Sequence, residues 1–261
     1  MQDEWNDPAA AARLALRCLD LTSLNDADTE ADIARLCTRA QGPFGPVAAV
    51  CVWPRLAAFA RARLPATVAV AAVANFPDGS ADAARAVADT QRIVDAGAQE
   101  VDVVLPHAAL RAGDAATAAR VLGAVRAACP GLQLKVILET GELQTEALIC
   151  QASQLAIDAG ADFLKTSTGK TPVSATPAAA RTMLRAIAAD AGAARRVGFK
   201  ASGGIRTVTE AMAYFALVAE LLGPGALGPQ RLRIGASSLL ADIEVVLGGA
   251  AGAAPVASDR Y

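Results

Sequence analysis

Apolar positions along this chain follow two patterns in alternation. Short β-rich runs occur at 18–22, 47–52, 68–73, 100–105, 134–138, 163–167, 197–201 and 232–236. Between and after them lie Ala- and Leu-rich segments with helical spacing, at 29–40, 54–64, 81–96, 115–128, 145–159, 176–191, 207–222 and 238–247. A two-residue period marks strands and a period near 3.6 marks helices. The chain therefore predicts eight strands, each followed by a helix. Alternating βα units imply a parallel sheet, and eight of them in about 250 residues are the pattern of a (β/α)8 barrel, an α/β fold of one domain. The first strand is the least defined, being short and carrying Asp20. A repeat supports the alternation: Asp95-Ala96-Gly97-Ala98 and Asp158-Ala159-Gly160-Ala161 each lead from a helix into a strand, with glycine ending the helix. The barrel is expected over 1–247, and the Gly- and Ala-rich stretch 248–261 as a flexible tail.

Composition narrows the class. Of 261 residues 54% are apolar and only 4% aromatic, so aliphatic packing should dominate the core. A net charge of −2 provides no basic field for nucleic acid or an anionic membrane. The acidic start lacks the basic and apolar runs of a secretory signal, and no stretch is apolar enough to span a bilayer. The five cysteines are odd in number and none has C-x-x-C spacing, which points to a reduced, cytoplasmic protein. One histidine, His107, argues against a His/Cys zinc site and against a Ser-His-Asp triad; no metal or cofactor is expected. The expected partners are small molecules or copies of the chain itself. Barrel surfaces often self-associate, so a homodimer is expected.

In barrels of this kind, reactive residues occupy the C-terminal ends of strands and the loops after them. Alternation places Val101, Val103 and Leu105 toward the helices and Asp102 inside. It likewise turns Phe163, Lys165 and Ser167 inward, with Gly198 and Lys200 on the next strand. Two lysines should converge there, with Asp102 two strands from Lys165. One reading is a structural ion-pair network. The other is amine catalysis: a lysine must be neutral to attack a carbonyl, and a second ammonium with burial lowers its pKa. Asp102 would then move protons as a carbinolamine forms and collapses. Geometry alone leaves open which lysine is the nucleophile. Lys135 points inward near the N-terminal end of its strand, and reads as structural, far from the reactive face and paired with another inward charge. Asp20 and Thr22 reach toward a substrate, or Asp20 serves as a cap or turn residue.

A phosphate site is expected at the loops after strands seven and eight. Gly203-Gly204 follows the seventh, and Gly235-Ala236-Ser237-Ser238 closes the eighth and opens the last helix. Backbone N–H groups and a helix N-terminus favour an anion there; ordinary turns and a helix cap are the plainer reading. Lys170 adds a cation. Two other motifs fail. Gly169-Lys170-Thr171 lacks the first glycine of a phosphate loop, since Leu164 stands there. Gly223-Pro224-Gly225-Ala226-Leu227-Gly228 follows a helix, where a dinucleotide site must follow a strand.

In order along the chain stand Leu19-Asp20-Leu21-Thr22, Asn75-Phe76-Pro77, Glu100-Val101-Asp102-Val103-Val104, Glu139-Thr140-Gly141-Glu142-Leu143, Phe163-Leu164-Lys165-Thr166-Ser167-Thr168-Gly169-Lys170, Gly198-Phe199-Lys200-Ala201-Ser202-Gly203-Gly204-Ile205-Arg206 and Gly235-Ala236-Ser237-Ser238. Together they resemble the deoxyribose-phosphate aldolase family, from about the first strand to the last helix. The resemblance implies reversible, metal-independent cleavage of 2-deoxy-D-ribose 5-phosphate to acetaldehyde and D-glyceraldehyde 3-phosphate. It implies Lys165 as the Schiff-base lysine, Lys200 as the neighbour that lowers its pKa, and Asp102 as the proton-transfer residue. Thr168, Lys170 and Asp20 are then expected at the sugar, and Gly203, Gly204, Ser237 and Ser238 at the phosphate. Ile234 is smaller than the aromatic of some relatives, which implies a looser pocket. Cys51 lies near the end of the second strand, either inert and buried or open to reactive aldehydes. Tyr261, in the tail, is either a disordered terminus or a phenol that swings over the mouth. The rival readings are a transaldolase-like or isomerase barrel and a barrel that only binds a metabolite.

Overall fold

A computed structural model describes Trp5 and residues 7–249. The eight strands close into a parallel barrel: β1 (Leu19–Thr22), β2 (Ala49–Val52), β3 (Ala69–Ala74), β4 (Glu100–Val104), β5 (Gln133–Ile137), β6 (Phe163–Lys165), β7 (Gly198–Ser202) and β8 (Leu232–Ala236), with β8 returning to β1. Every strand pair around the ring is parallel. The (β/α)8 expectation is met, and each strand lies within about a residue of its expected place except β2, which starts at Ala49, and β6, which ends at Lys165.

The expected helices form where threonine and aspartate can cap them. Thr29 opens α2 (Glu30–Arg39), Thr145 opens α8 (Glu146–Asp158), Thr176 opens α9 (Pro177–Ala189) and Thr207 opens α11 (Val208–Leu222). In each, the threonine hydroxyl accepts a backbone N–H that the helix leaves unpaired. Asp82 and Asp114 cap α4 (Ala83–Asp95) and α6 (Ala115–Ala128) in the same way. Trp53 precedes α3 (Pro54–Arg61), where proline at the first position suits a helix start. The last helix, α12 (Leu239–Gly248), runs one residue beyond its expected end. Tyr261 lies outside the described residues.

Four helices and a hairpin escape the two-period reading. Helix α1 (Pro8–Arg17) precedes the barrel and packs on α11 and α12. The one-turn helices α5 (His107–Arg111), α7 (Thr140–Leu143) and α10 (Ala193–Arg196) are too short to show a period. Gln41–Gly42 and Gly45–Pro46 pair as a small antiparallel hairpin before β2.

Two cores follow from strand alternation. Outward residues such as Val101, Val103, Leu164, Phe199 and Ile234 join the helices in one large aliphatic layer. A smaller apolar cluster of Leu24, Cys51, Ala71, Val73, Phe76, Val104 and Ile137 fills part of the barrel interior. Ile234 therefore faces the helices, and its size does not loosen the pocket as expected. No helix among the described residues is long and apolar enough to cross a membrane.

Candidate active site

The rest of the barrel interior is charged. Asp20, Asp102, Lys135 and Lys200 are fully buried, and Glu100, Lys165 and Arg233 nearly so. Alternation turns all seven inward. Register sets Lys165 beside Lys200 and Lys200 beside Arg233, while Lys135 is level with Asp102.

Asp102 is the hub. Its Oδ1 accepts from Lys135 Nζ at 2.7 Å, and its Oδ2 accepts from both Lys165 Nζ and Lys200 Nζ at 2.8 Å. Lys200 Nζ also donates to Asp20 Oδ2 at 2.5 Å. Lys135 Nζ lies 2.5 Å from Glu100 Oε2. Arg233 bridges Asp20 Oδ1 at 2.7 Å and Glu100 Oε1 at 2.8 Å. Burying charge is costly unless it is paired, and each charged group here has at least one opposite partner.

The charges do not balance if every amine is protonated. Within the directly bonded cluster three carboxylates, Asp20, Glu100 and Asp102, face four cations, Lys135, Lys165, Lys200 and Arg233, while the buried Glu139 bonds to the loop after β6 instead. One neutral amine makes the cluster neutral. Lys200 and Lys135 each contact two carboxylates within hydrogen-bond distance, whereas Lys165 has Asp102 alone. Burial lowers the Lys165 pKa, and the Lys200 ammonium lowers it further against the opposing pull of Asp102. Burial also works against the charge on Lys200, but Asp102 and Asp20 together hold its pKa above the usual lysine value. Burial disfavours ionised Asp102 too, yet Lys135, Lys165 and Lys200 keep it well below the ordinary carboxyl range. Sequence reasoning put like-charge repulsion ahead of burial at Lys165; the order is the reverse.

Lys135 is also nearer the chemistry than expected. It pairs with inward charges, but one of them is Asp102 itself, because the register sets Lys135 directly beside Asp102 on the neighbouring strand. Asp20 is neither a cap nor an open substrate ligand; both carboxylate oxygens are occupied by Lys200 and Arg233. Glu100 and Arg233 were missed, although alternation carried the signal: Glu100 shares the parity of Asp102, and Arg233 stands between outward Leu232 and Ile234.

Above the lysines lies the loop after β6. Thr168 is buried, and its hydroxyl donates to Glu139 Oε2 at 2.5 Å and accepts from Lys170 N–H at 3.0 Å. Lys170 Nζ donates to the Leu24 carbonyl at 2.8 Å, tying this loop to the one after β1. Gly203 and Gly204 follow β7 with φ of 87° and 84°. A methyl on Gly203 would stand 2.6 Å from the Ser174 side chain, so only glycine fits there. Ser237 is half-buried, and Ser238 is exposed as the residue before α12. These rim positions share the barrel's C-terminal face with Lys165, the last residue of β6. Cys51 is buried with its Sγ 4.0 Å from Asp102 Oδ2, and burial pushes its thiol up to about 11. His107 starts α5, away from the cluster. No group among the described residues has the clustered His, Cys, Asp or Glu ligands of a metal site.

An interior amine short of partners at the strand ends of a (β/α)8 barrel is equipped for carbonyl chemistry. Residues 14–244 match the family described as DeoC/LacD family aldolase. A deoxyribose-phosphate aldolase from Agrobacterium fabrum strain C58 is 46% identical over 252 residues, covering 95% of this chain and 96% of that one. A solved chain from Toxoplasma gondii ME49 shares the fold at TM-score 0.85 and 22% identity, over 93% of this chain and 96% of that chain. A deoxyribose phosphate aldolase from Aeropyrum pernix, with a tetrameric structure, aligns at TM-score 0.67 and 26% identity, over 93% of this chain and 94% of that one. The chain belongs to the DeoC/LacD aldolase family.

Proposed function

We propose that this aldolase reversibly cleaves 2-deoxy-D-ribose 5-phosphate to acetaldehyde and D-glyceraldehyde 3-phosphate through a Schiff base on Lys165. The observation that carries the reading is the cation surplus of the buried cluster, which falls on the amine with the fewest carboxylate partners. The 46% identity to the Agrobacterium fabrum enzyme supports the substrate.

In this reading neutral Lys165 attacks the aldehyde carbon of the open-chain sugar phosphate, and the carbinolamine loses water to give an iminium. The iminium accepts the electron pair of the breaking C2–C3 bond. The C3 hydroxyl proton leaves toward Asp102, and D-glyceraldehyde 3-phosphate departs. Asp102 returns that proton to the enamine carbon, and water hydrolyses the new iminium to acetaldehyde and free Lys165. Lys200 stays charged throughout and keeps Lys165 deprotonated between turnovers. Gly203, Gly204, Ser237 and Ser238 hold the phosphate at the rim, with Lys170 as the nearby cation. Fixing the phosphate aligns the scissile bond over Lys165, the kind of positioning that supplies several kcal/mol.

Self-association as a homodimer belongs to the same reading, supported by the tetrameric state of the Aeropyrum pernix relative. Five free thiols, four of them buried, suit a reducing cytoplasm.

The test is borohydride reduction in the presence of 2-deoxy-D-ribose 5-phosphate, followed by peptide mapping and an acetaldehyde assay. Modification at Lys165 together with acetaldehyde release is expected. Turnover with an unmodified Lys165 overturns the mechanism, and an isomerase or passive binder gives no adduct.

A further inference from the structure

Glu139 has no part in the chemistry above, yet it is fully buried one residue beyond Leu138, in a left-handed conformation with φ 56°. A non-glycine residue pays strain for that geometry and keeps it only where surrounding contacts impose it. The Glu139 carbonyl accepts from the Glu142 and Leu143 N–H groups of α7, and the hydrogen bonds to its carboxylate all come from the loop after β6. The Thr168 N–H lies 3.3 Å from both carboxylate oxygens, the Thr168 hydroxyl donates to Oε2 at 2.5 Å, and the Thr171 hydroxyl donates to Oε1 at 3.3 Å. One carboxylate thus gathers donors from both ends of the Thr168–Gly169–Lys170–Thr171 turn.

The rest of that loop is hemmed in from two sides. On the Glu139 side, a methyl on Gly141 would lie 2.1 Å from the Val173 carbonyl oxygen. On the opposite side, a methyl on Gly203 would lie 2.6 Å from Ser174 Oγ and 3.2 Å from the Gly169 Cα. The loop carrying Lys170 is therefore wedged between the end of β5 and the rim glycine of β7, with Glu139 as its only buried charged anchor among the described residues.

We propose that Glu139 is a positioning residue for substrate: its carboxylate fixes the loop of residues 168–174, and through it the placement of Lys170 and Gly203 around the distal, phosphate-bearing part of the sugar. The inference rests on the aldolase reading. It assigns the Thr168 hydroxyl to the clamp, since its one proton already goes to Glu139. The clamp's hydrogen bonds are all to the loop after β6, at the far end of the substrate, and none is to Lys165. Losing a hydrogen bond to a charged group should be felt as weaker binding of the phosphorylated sugar rather than as slower chemistry.

The test compares wild type with Glu139→Gln, Glu139→Asp and Thr168→Val, using the whole enzyme. Glu139→Gln keeps the shape but turns one acceptor into a donor facing the loop. KM for 2-deoxy-D-ribose 5-phosphate should rise about tenfold, with kcat within about threefold and borohydride trapping of acetaldehyde alone on Lys165 unchanged. Thr168→Val should reproduce the KM effect, the double variant should be no worse than either single one, and Glu139→Asp should recover part of the loss. An unchanged KM in Glu139→Gln overturns the proposal. So does a fall in kcat and acetaldehyde trapping that tracks a loss of thermal stability, since that is what a purely structural role predicts. If wild type itself fails to trap acetaldehyde, the aldolase reading fails first and separately.

Discussion

The apolar cluster around Val73, Phe76 and Ile137 and the charged cluster around Asp102 occupy the same barrel interior, but they are held together by different means. The apolar group is held by shape, and a side chain there can be exchanged for another of similar volume at a cost under about 1.5 kcal/mol. The charged group is held by mutual neutralisation. Taking away one member leaves a partner buried and unpaired, which typically costs about 3–5 kcal/mol. Lys165 stands on the border between them: its strand neighbour on one side is Ile137 and on the other Lys200. The apolar side withholds solvent and counter-charge, and the charged side adds a like charge. Both regions act to lower the Lys165 pKa.

The comparison can be broken most decisively at the border residue. Lys165→Met removes the amine and its surplus charge together. Turnover should fall on the order of 10⁴-fold or more, and the borohydride adduct should vanish. Stability should not drop, because the three carboxylates then face three cations; urea unfolding checks this, and a clear destabilisation would contradict the charge balance.

Next in size is Lys200→Met. The cluster then balances with Lys165 protonated, and a lost like charge favours the ammonium form. Activity at neutral pH should fall about 100-fold, and the acid limb of the kcat/KM profile should move to higher pH. A limb that stays in place would show that burial alone sets Lys165.

The charged region should also titrate. Asp20 and Asp102 both have folded pKa values below their unfolded ones, burial being outweighed by Lys200 and Arg233 in the first case and by the three lysines in the second. Each therefore contributes stability that is fully present above the unfolded value of about 3.9 and is lost as pH falls below it toward the folded value. Urea midpoints measured from neutral pH downward should fall below about pH 4; a flat profile there would remove these two groups as the cause.

The smallest effect belongs to the apolar side. Ile137→Val deletes one buried methylene and should cost about 1 kcal/mol in urea unfolding, with the acid limb of activity almost unmoved. A large shift of that limb would mean that packing beside Lys165 matters as much as charge.

Period and alternation sufficed for the barrel and for the inward set of Asp102, Lys165 and Lys200, because a strand's two faces are fixed by its backbone geometry whatever surrounds it. The same rule turns Glu100 and Arg233 inward. Glu139 gave no such signal, since it stands past the end of β5 in a conformation outside any strand pattern. Alternation turns Lys135 inward but does not show that Asp102 is its neighbour, because the register between β4 and β5 that pairs them is set by the fold. Ile234 was assigned to the pocket by analogy, where alternation alone would have turned it to the helices.

By itself, then, the order of residues determined the eight βα units, the face on which each charged side chain stands, and a family resemblance specific enough to name Lys165. Only the tertiary structure decided how many carboxylates each amine meets. It also showed that the Asp20 carboxylate bonds Lys200 and Arg233 and that the Thr168 hydroxyl bonds Glu139. The reason is physical: the side a residue faces is a local property of the chain, whereas charge balance and hydrogen-bond ownership depend on groups from six different strands brought within about 3 Å of one another.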